Sequence, residues 1–178
     1  MKKIGILLMT ILLLIGCENT KNTPVNKVES FLGSYQKLDS SVLQELNHII
    51  KKDNILTNNQ KKEYQILLEK QYQNLSYKIL KEQIEKDKAT VEVKIEVLDY
   101  ATKIEKAKQY YLDHPEEFSY SDDNIEKEES FIDYKLKEMK KASDKKQYNI
   151  IFYLQKKEGV WILEEITEED RQKIHGLY

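Results

Sequence analysis

The chain has 178 residues, a length that fits one domain. Its 29 Lys and Arg against 31 Asp and Glu leave a formal net charge of −2, without the basic excess of a nucleic-acid binder. A single Cys excludes an internal disulfide framework and a Cys-rich zinc site, while twelve Tyr and one Trp supply enough bulk to exclude wholesale disorder.

The lone cysteine stands at position 17, and the residues before it give that position meaning. Lys2 and Lys3 form a short basic start, and Ile4–Ile15 is apolar apart from Gly5 and Thr10. As a helix this run is only ~18 Å long, against a bilayer core of ~30 Å. A basic start, a short apolar run and then small residues is the layout of a secretory signal peptide. Leu14-Ile15-Gly16-Cys17 resembles the lipobox of bacterial lipoproteins, with Cys directly after a small residue.

That resemblance implies a division into 1–16, a signal peptide cleaved between Gly16 and Cys17; 17–23, the lipidated Cys and a polar flexible tether; and 24–178, one domain. It implies that the Cys17 sulfur accepts a diacylglyceryl group as a thioether, with acyl chains of the palmitate type. The product would be lipid-anchored to the cell membrane and face outside the cytoplasm. One acyl chain holds a protein only marginally, whereas two or three on one cysteine hold it firmly. Loss of Lys2 and Lys3 takes the net charge from −2 to −4, so the membrane is expected as a partner through lipid rather than through charge.

After the tether, Thr23-Pro24 has the form of a helix start, Thr as N-cap and Pro at the first position. Val28, Phe31, Leu32 and Tyr35 follow helical spacing. Asp39 is a second expected cap, with Leu38 and Leu43 placed to staple across it, and Val42, Leu43, Leu46, Ile49 and Ile50 form an amphipathic stripe. Thr57-Asn58-Asn59-Gln60 reads as a capping box opening a third helix with Tyr64, Leu67, Leu68 and Tyr72 inward. The period then changes. Val91, Val93, Ile95 and Val97 alternate with charged residues, and Leu75, Tyr77 and Ile79 pair with them across a turn near Glu85–Lys88.

Between this hairpin and the next, Asp99–Lys146 predicts two helices, broken at His114-Pro115 and separated by a turn at Asp122-Asp123-Asn124. The second hairpin, Tyr148–Gln155 and Val160–Glu165, is apolar on both faces: Ile150, Phe152 and Leu154 on one, Ile151 and Tyr153 on the other. Something must cover its second face, since exposed apolar patches mark interfaces. A last short helix runs from a Thr167 cap towards Gly176, with acids in its first turn.

Helices followed by antiparallel strands, with a late strand bearing Trp161, resemble the NTF2-like α+β fold. The likeness is strongest at Val28–Asp39 (VESFLGSYQKLD) and Gly159–Leu163 (GVWIL), which are similar to segments of small lipoproteins of low-GC Gram-positive bacteria. It implies N-terminal helices packed on a curved antiparallel sheet, a helical insertion between two hairpins, a pocket between helices and sheet, and a sheet face able to form a homodimer or meet a cell-surface protein.

Chemistry is sparse. His48, His114 and His175 are scattered, so no metal site is expected, and Asp122, Asn124 and Glu126 lack the Gly and terminal Glu of a calcium loop. No phosphate-cradling glycine motif occurs, and no cofactor is expected. Asp99-Tyr100 and Asp133-Tyr134 invite comparison with NTF2-like isomerases, but a dipeptide is slender warrant for catalysis. Tyr35, Tyr64, Tyr72, Tyr77 and Trp161 have three readings: pocket lining, protein interface, or ordinary core. The expectation is a non-enzymatic binding or interaction module, with a carrier of small apolar ligands as the alternative.

Overall fold

The computed structural model describes residues 22–118 and 124–178, with the backbone alone for 124–127. Gly16, Cys17 and the Asp122-Asp123 pair lie outside the described residues, as do the side chains of Asn124 and Glu126. The described residues are α+β, as expected: six helices and a four-stranded antiparallel open sheet. In order these are α1 (Pro24–Lys37), α2 (Ser40–Lys52), α3 (Asn58–Asn74), β1 (Ser76–Glu85), β2 (Lys88–Leu98), α4 (Tyr100–Asp113), a 3-10 turn at Pro115–Phe118, α5 (Asn124–Lys140), β3 (Lys145–Lys157), β4 (Val160–Leu163) and α6 (Glu168–His175).

The helix boundaries follow from local chemistry. The Thr23 hydroxyl accepts the Asn26 amide, and Pro24 occupies the first turn, where its missing N–H costs nothing. Thr57 and Gln60 close both arms of the capping box, so two otherwise orphaned N–H groups find partners. Asp39 stands at the N-cap of α2 without a side-chain cap bond. Thr167 accepts the Asp170 amide at the start of α6, and Gly176 ends that helix in the left-handed region at φ 70°.

The strands lie in sequence order, β1-β2-β3-β4, each antiparallel to the next. Tyr77 sits opposite Ile95 and Ile79 opposite Val93; a bulge then leaves Leu80 without a partner before Lys81 meets Glu92. Val91, Val93, Ile95 and Val97 are fully buried with Ile150, Phe152 and Leu154, and α1, α2 and α3 supply Val28, Leu32, Leu46 and Leu68 to the same core. At about 25 cal/mol per Å² of apolar area, side chains of this size each gain roughly 1.5–3 kcal/mol on burial.

The insertion between the hairpins does not cover the second hairpin's outer face. Helices α4 and α5 pack on α3 and on each other, around a second core of Leu67, Leu98, Tyr100, Ile132, Leu136 and Met139. Ile151, Tyr153, Val160 and Ile162 therefore remain exposed.

The two cores meet at Gln71. Its side-chain amide donates to the Leu98 carbonyl at 2.9 Å and its oxygen accepts the Leu98 N–H at 2.8 Å, as a neighbouring strand would. Gly176 passes so close to this pair that a Cβ there would lie 2.0 Å from Gln71 Nε2 and 2.2 Å from the Leu98 oxygen. Its carbonyl accepts the Ala101 amide, which ties the end of α6 to the start of α4.

Candidate functional site

Five helices converge on a cleft of about 630 Å³, within the range of small-molecule sites. Its apolar lining comes from Leu56, Tyr64, Ile104, Leu136, Met139 and Leu177, and its charged lining from Glu45, Asp53, Lys135, Glu168 and Arg171. Local sequence builds each wall. Asp53 ends α2, and its Oδ1 accepts the Ile55 and Leu56 amides at 2.8 and 3.0 Å, folding the loop that carries Leu56. The capping box then sets the start of α3, which carries Tyr64 one face-turn on. Arg171 and His175 lie four residues apart on α6 and so share a face.

Arg171, the chain's one arginine, organises the rim. It bonds Glu45 of α2, approaches Glu168 at 3.5 Å, and lies beside the Tyr35 hydroxyl of α1. A guanidinium has five donors in a fixed fork, enough to hold three elements at once. Glu45 and Arg171 also line a second recess with Phe31, Tyr35, Leu163 and Ile166, so their ion pair partitions the two.

Behind the rim, Tyr35 packs edge-on to Tyr72 at 4.9 Å, and the Tyr72 hydroxyl meets His175 Nε2 at 2.9 Å. Burial, with a smaller push from the Arg171 charge, lowers the His175 pKa to about 4, so the imidazole is neutral at pH 7. Burial raises the Tyr72 phenol well above its ordinary value. Tyr64 is pushed up to about 12 by burial and then by the Asp53 charge. Burial depresses Lys135, opposed by Asp53, and among the described residues no carboxylate reaches within 4.0 Å of its ammonium. The cleft thus combines an apolar floor, a neutral buried imidazole and an ammonium with no ion pair among the described residues. None of its lining residues is Ser, Thr or Cys.

The five aromatic residues singled out from sequence do not share one cavity. Tyr64 lines the cleft and Tyr35 the neighbouring recess. Tyr72 is buried between Tyr35 and His175, Tyr77 lies on β1 opposite Ile95, and Trp161 is buried on the inward face of β4. Tyr35, Tyr72 and Trp161 pack with Phe152 in the core between helices and sheet, and the cleft lies among the helices instead.

Asp99 caps α4 through the Thr102 amide and hydroxyl, and Asp133 accepts a bond from Gln60 on the surface; neither lines the cleft. His114 approaches Glu116 and Glu117 on the turn after α4, the one group among the described residues with three possible ligand atoms within 4.8 Å. Glu117 there accepts the Tyr110 hydroxyl at 2.7 Å, and both acids face solvent. Arg171 and Lys135 bear no motif in the sequence, and His175 stood out there only as a candidate metal ligand, although a lone arginine four residues before a histidine on a short helix is a usable signal.

No protein-family model matches the chain, and no curated protein matches it. A similar solved structure is that of the putative lipoprotein ycdA from Bacillus subtilis, at 21% identity and a TM-score of 0.41. The match covers 90% of this chain and 50% of that one, so the chain spans about half the neighbour's length.

Proposed function

We propose that the protein is an extracytoplasmic lipoprotein, anchored through Cys17, that acts as a non-enzymatic binding module, and that the cleft among α2–α6 is its ligand site. The observation that carries the reading is the cleft itself: seven of its fifteen lining residues are apolar and five are charged, a composition suited to an amphipathic small molecule. An amphipathic ligand fits this chemistry, its apolar body against Tyr64, Ile104 and Met139 and its polar end near Lys135. The fold is read as a variant of the NTF2-like arrangement in which the functional recess has moved from the helix–sheet interface to the helical layer. The anchor reading rests on the order of basic, apolar and small residues before Cys17; among the described residues no helix is long and apolar enough to cross a membrane.

Two measurements test this. The dye 1-anilinonaphthalene-8-sulfonate should bind the purified protein and lose most of its affinity in Ile104→Trp, which fills the cleft, but not in Ile66→Trp on the exposed side of α3. Equal binding by all three would discard the cleft. Radiolabelled palmitate should enter the wild type and not Cys17→Ser, and that variant should leave the membrane fraction.

A further inference from the structure

The outer face of the sheet carries a group of exposed apolar side chains on β3 and β4, where the chain enters the fold. Asn22 is fastened there by two bonds: its Nδ2 donates to the Gly159 carbonyl at 2.9 Å, and its Oδ1 accepts the Trp161 N–H at 3.1 Å. Cys17 is five residues earlier, and five residues span at most ~18 Å. Any lipid on Cys17 therefore holds the β3–β4 turn within that distance of the headgroups.

Beside that turn, Ile151, Tyr153, Val160 and Ile162 are 47%, 54%, 46% and 46% exposed, on the face turned away from the helices. On β2 the same face carries Thr90, Glu92, Lys94 and Glu96. Across β2, β3 and β4 the exposed apolar residues of this face thus belong to the strand pair that holds Asn22. Tyr153 is amphipathic, the type of side chain favoured at the membrane–water boundary. Glu92 and Glu164 border the patch, opposite Ile151 and beside Tyr153, while Gln155 lies opposite Ile162 and Lys157 opposite Val160 on the same face, so the apolar side chains are ringed by charges of both signs.

We propose that the outer face of β3 and β4 rests on the membrane surface, with Ile151, Tyr153, Val160 and Ile162 seated among the lipid headgroups. The inference rests on the Cys17 anchor. It gives the domain a fixed orientation, in which α1–α3 lie on the far side of the sheet and the cleft stays open to water.

Cys17 is the only cysteine, and acylation consumes its thiol, so a second cysteine can be labelled alone. The mature, lipidated protein carrying Ile162→Cys or Ile66→Cys is labelled with a nitrobenzoxadiazole dye. It is then placed in phosphatidylcholine vesicles containing nitroxide-bearing phosphatidylcholine. The dye at position 162 should be quenched and the dye at 66 should not. Asn22→Ala should lose much of the quenching at 162 while still floating with the vesicles. Protein that floats with an unquenched dye at 162, or with equal quenching at 66, overturns the orientation. So does disulfide cross-linking between unlabelled Ile162→Cys chains with and without vesicles, which would show a second copy covering the face. Protein that fails to float overturns the anchor reading itself.

Discussion

Adding one methyl group at Gly176 should unfold a large part of this domain, and the three glycines in the described residues separate the reasons. At Gly176 the backbone is left-handed, which costs an Ala roughly 1–2 kcal/mol. The new Cβ would also stand 2.0 Å from Gln71 Nε2 and 2.2 Å from the Leu98 oxygen, so Gln71 must withdraw and leave its two bonds to Leu98 unmade. Unsatisfied buried groups cost about 1–3 kcal/mol each, and with two of them the sum comes to roughly 3–8 kcal/mol, a large share of a typical stability. Gly159 is also left-handed, at φ 80°, but nothing lies within 4 Å of its would-be Cβ, so Gly159→Ala should cost only the backbone part. Gly33 lies inside α1 with open space around it, and Gly33→Ala should stabilise by about 0.5–1 kcal/mol. Urea unfolding of the three variants measures the series. A Gly176→Ala cost no greater than that of Gly159→Ala would refute the claim that close packing, rather than backbone geometry, decides the site.

His175 makes a pH prediction. Its folded pKa of about 4 lies below the unfolded value near 6.5, so the unfolded chain takes the proton first. Stability contributed by the neutral imidazole is complete above pH 6.5, falls as pH drops towards 4, and amounts to roughly 3 kcal/mol by the linkage of protonation to folding. In His175→Gln, which can still accept from Tyr72, urea midpoints should fall less over that interval; equal slopes would show that His175 titrates normally. Thr57→Ala should cost about 1 kcal/mol through the lost cap, whereas Asp39→Ala, whose side chain makes no cap bond, should cost at most a few tenths. Phe152→Ala should cost about 3–5 kcal/mol in thermal or urea unfolding, whereas Ile151→Ser, one residue along on the exposed face, should change stability little.

Much of the fold was legible because its signals are local. Thr23-Pro24, the Thr57–Gln60 box and the Thr167 cap each satisfy orphaned amides within a few residues, and each is where sequence placed it. Alternation through Val91–Val97 likewise fixed a face, because a one-residue slip would expose the whole set. The destination of Asp99–Lys146 was not legible. Its helices could cover the apolar outer face of β3 or pack on α3, and the choice depends on Tyr100 donating to the Leu67 carbonyl and on Met139 and Leu136 filling the second core. No periodicity in one segment reports such pairings. The site shows the same limit: the NTF2-like resemblance implied a pocket between helices and sheet, but core side chains such as Tyr72 and Phe152 occupy that space, and the cleft owes its character to single charged residues from α2, α5 and α6, far apart in the chain.

An open sheet has two free edges, each a template on which another strand could grow, and this chain blunts both. At β1 the bulge at Leu80 breaks the run of backbone donors and acceptors, with Lys78 and Lys81 on either side. At β4 only four residues are extended, and the Asn22 side chain already occupies the Trp161 amide and the neighbouring Gly159 carbonyl. Neither edge offers the long, flat row of unpaired groups that strand addition needs. Crowded copies of this domain should therefore stay as separate molecules instead of joining sheet to sheet into fibres, and one asparagine at the start of the fold supplies half of that protection.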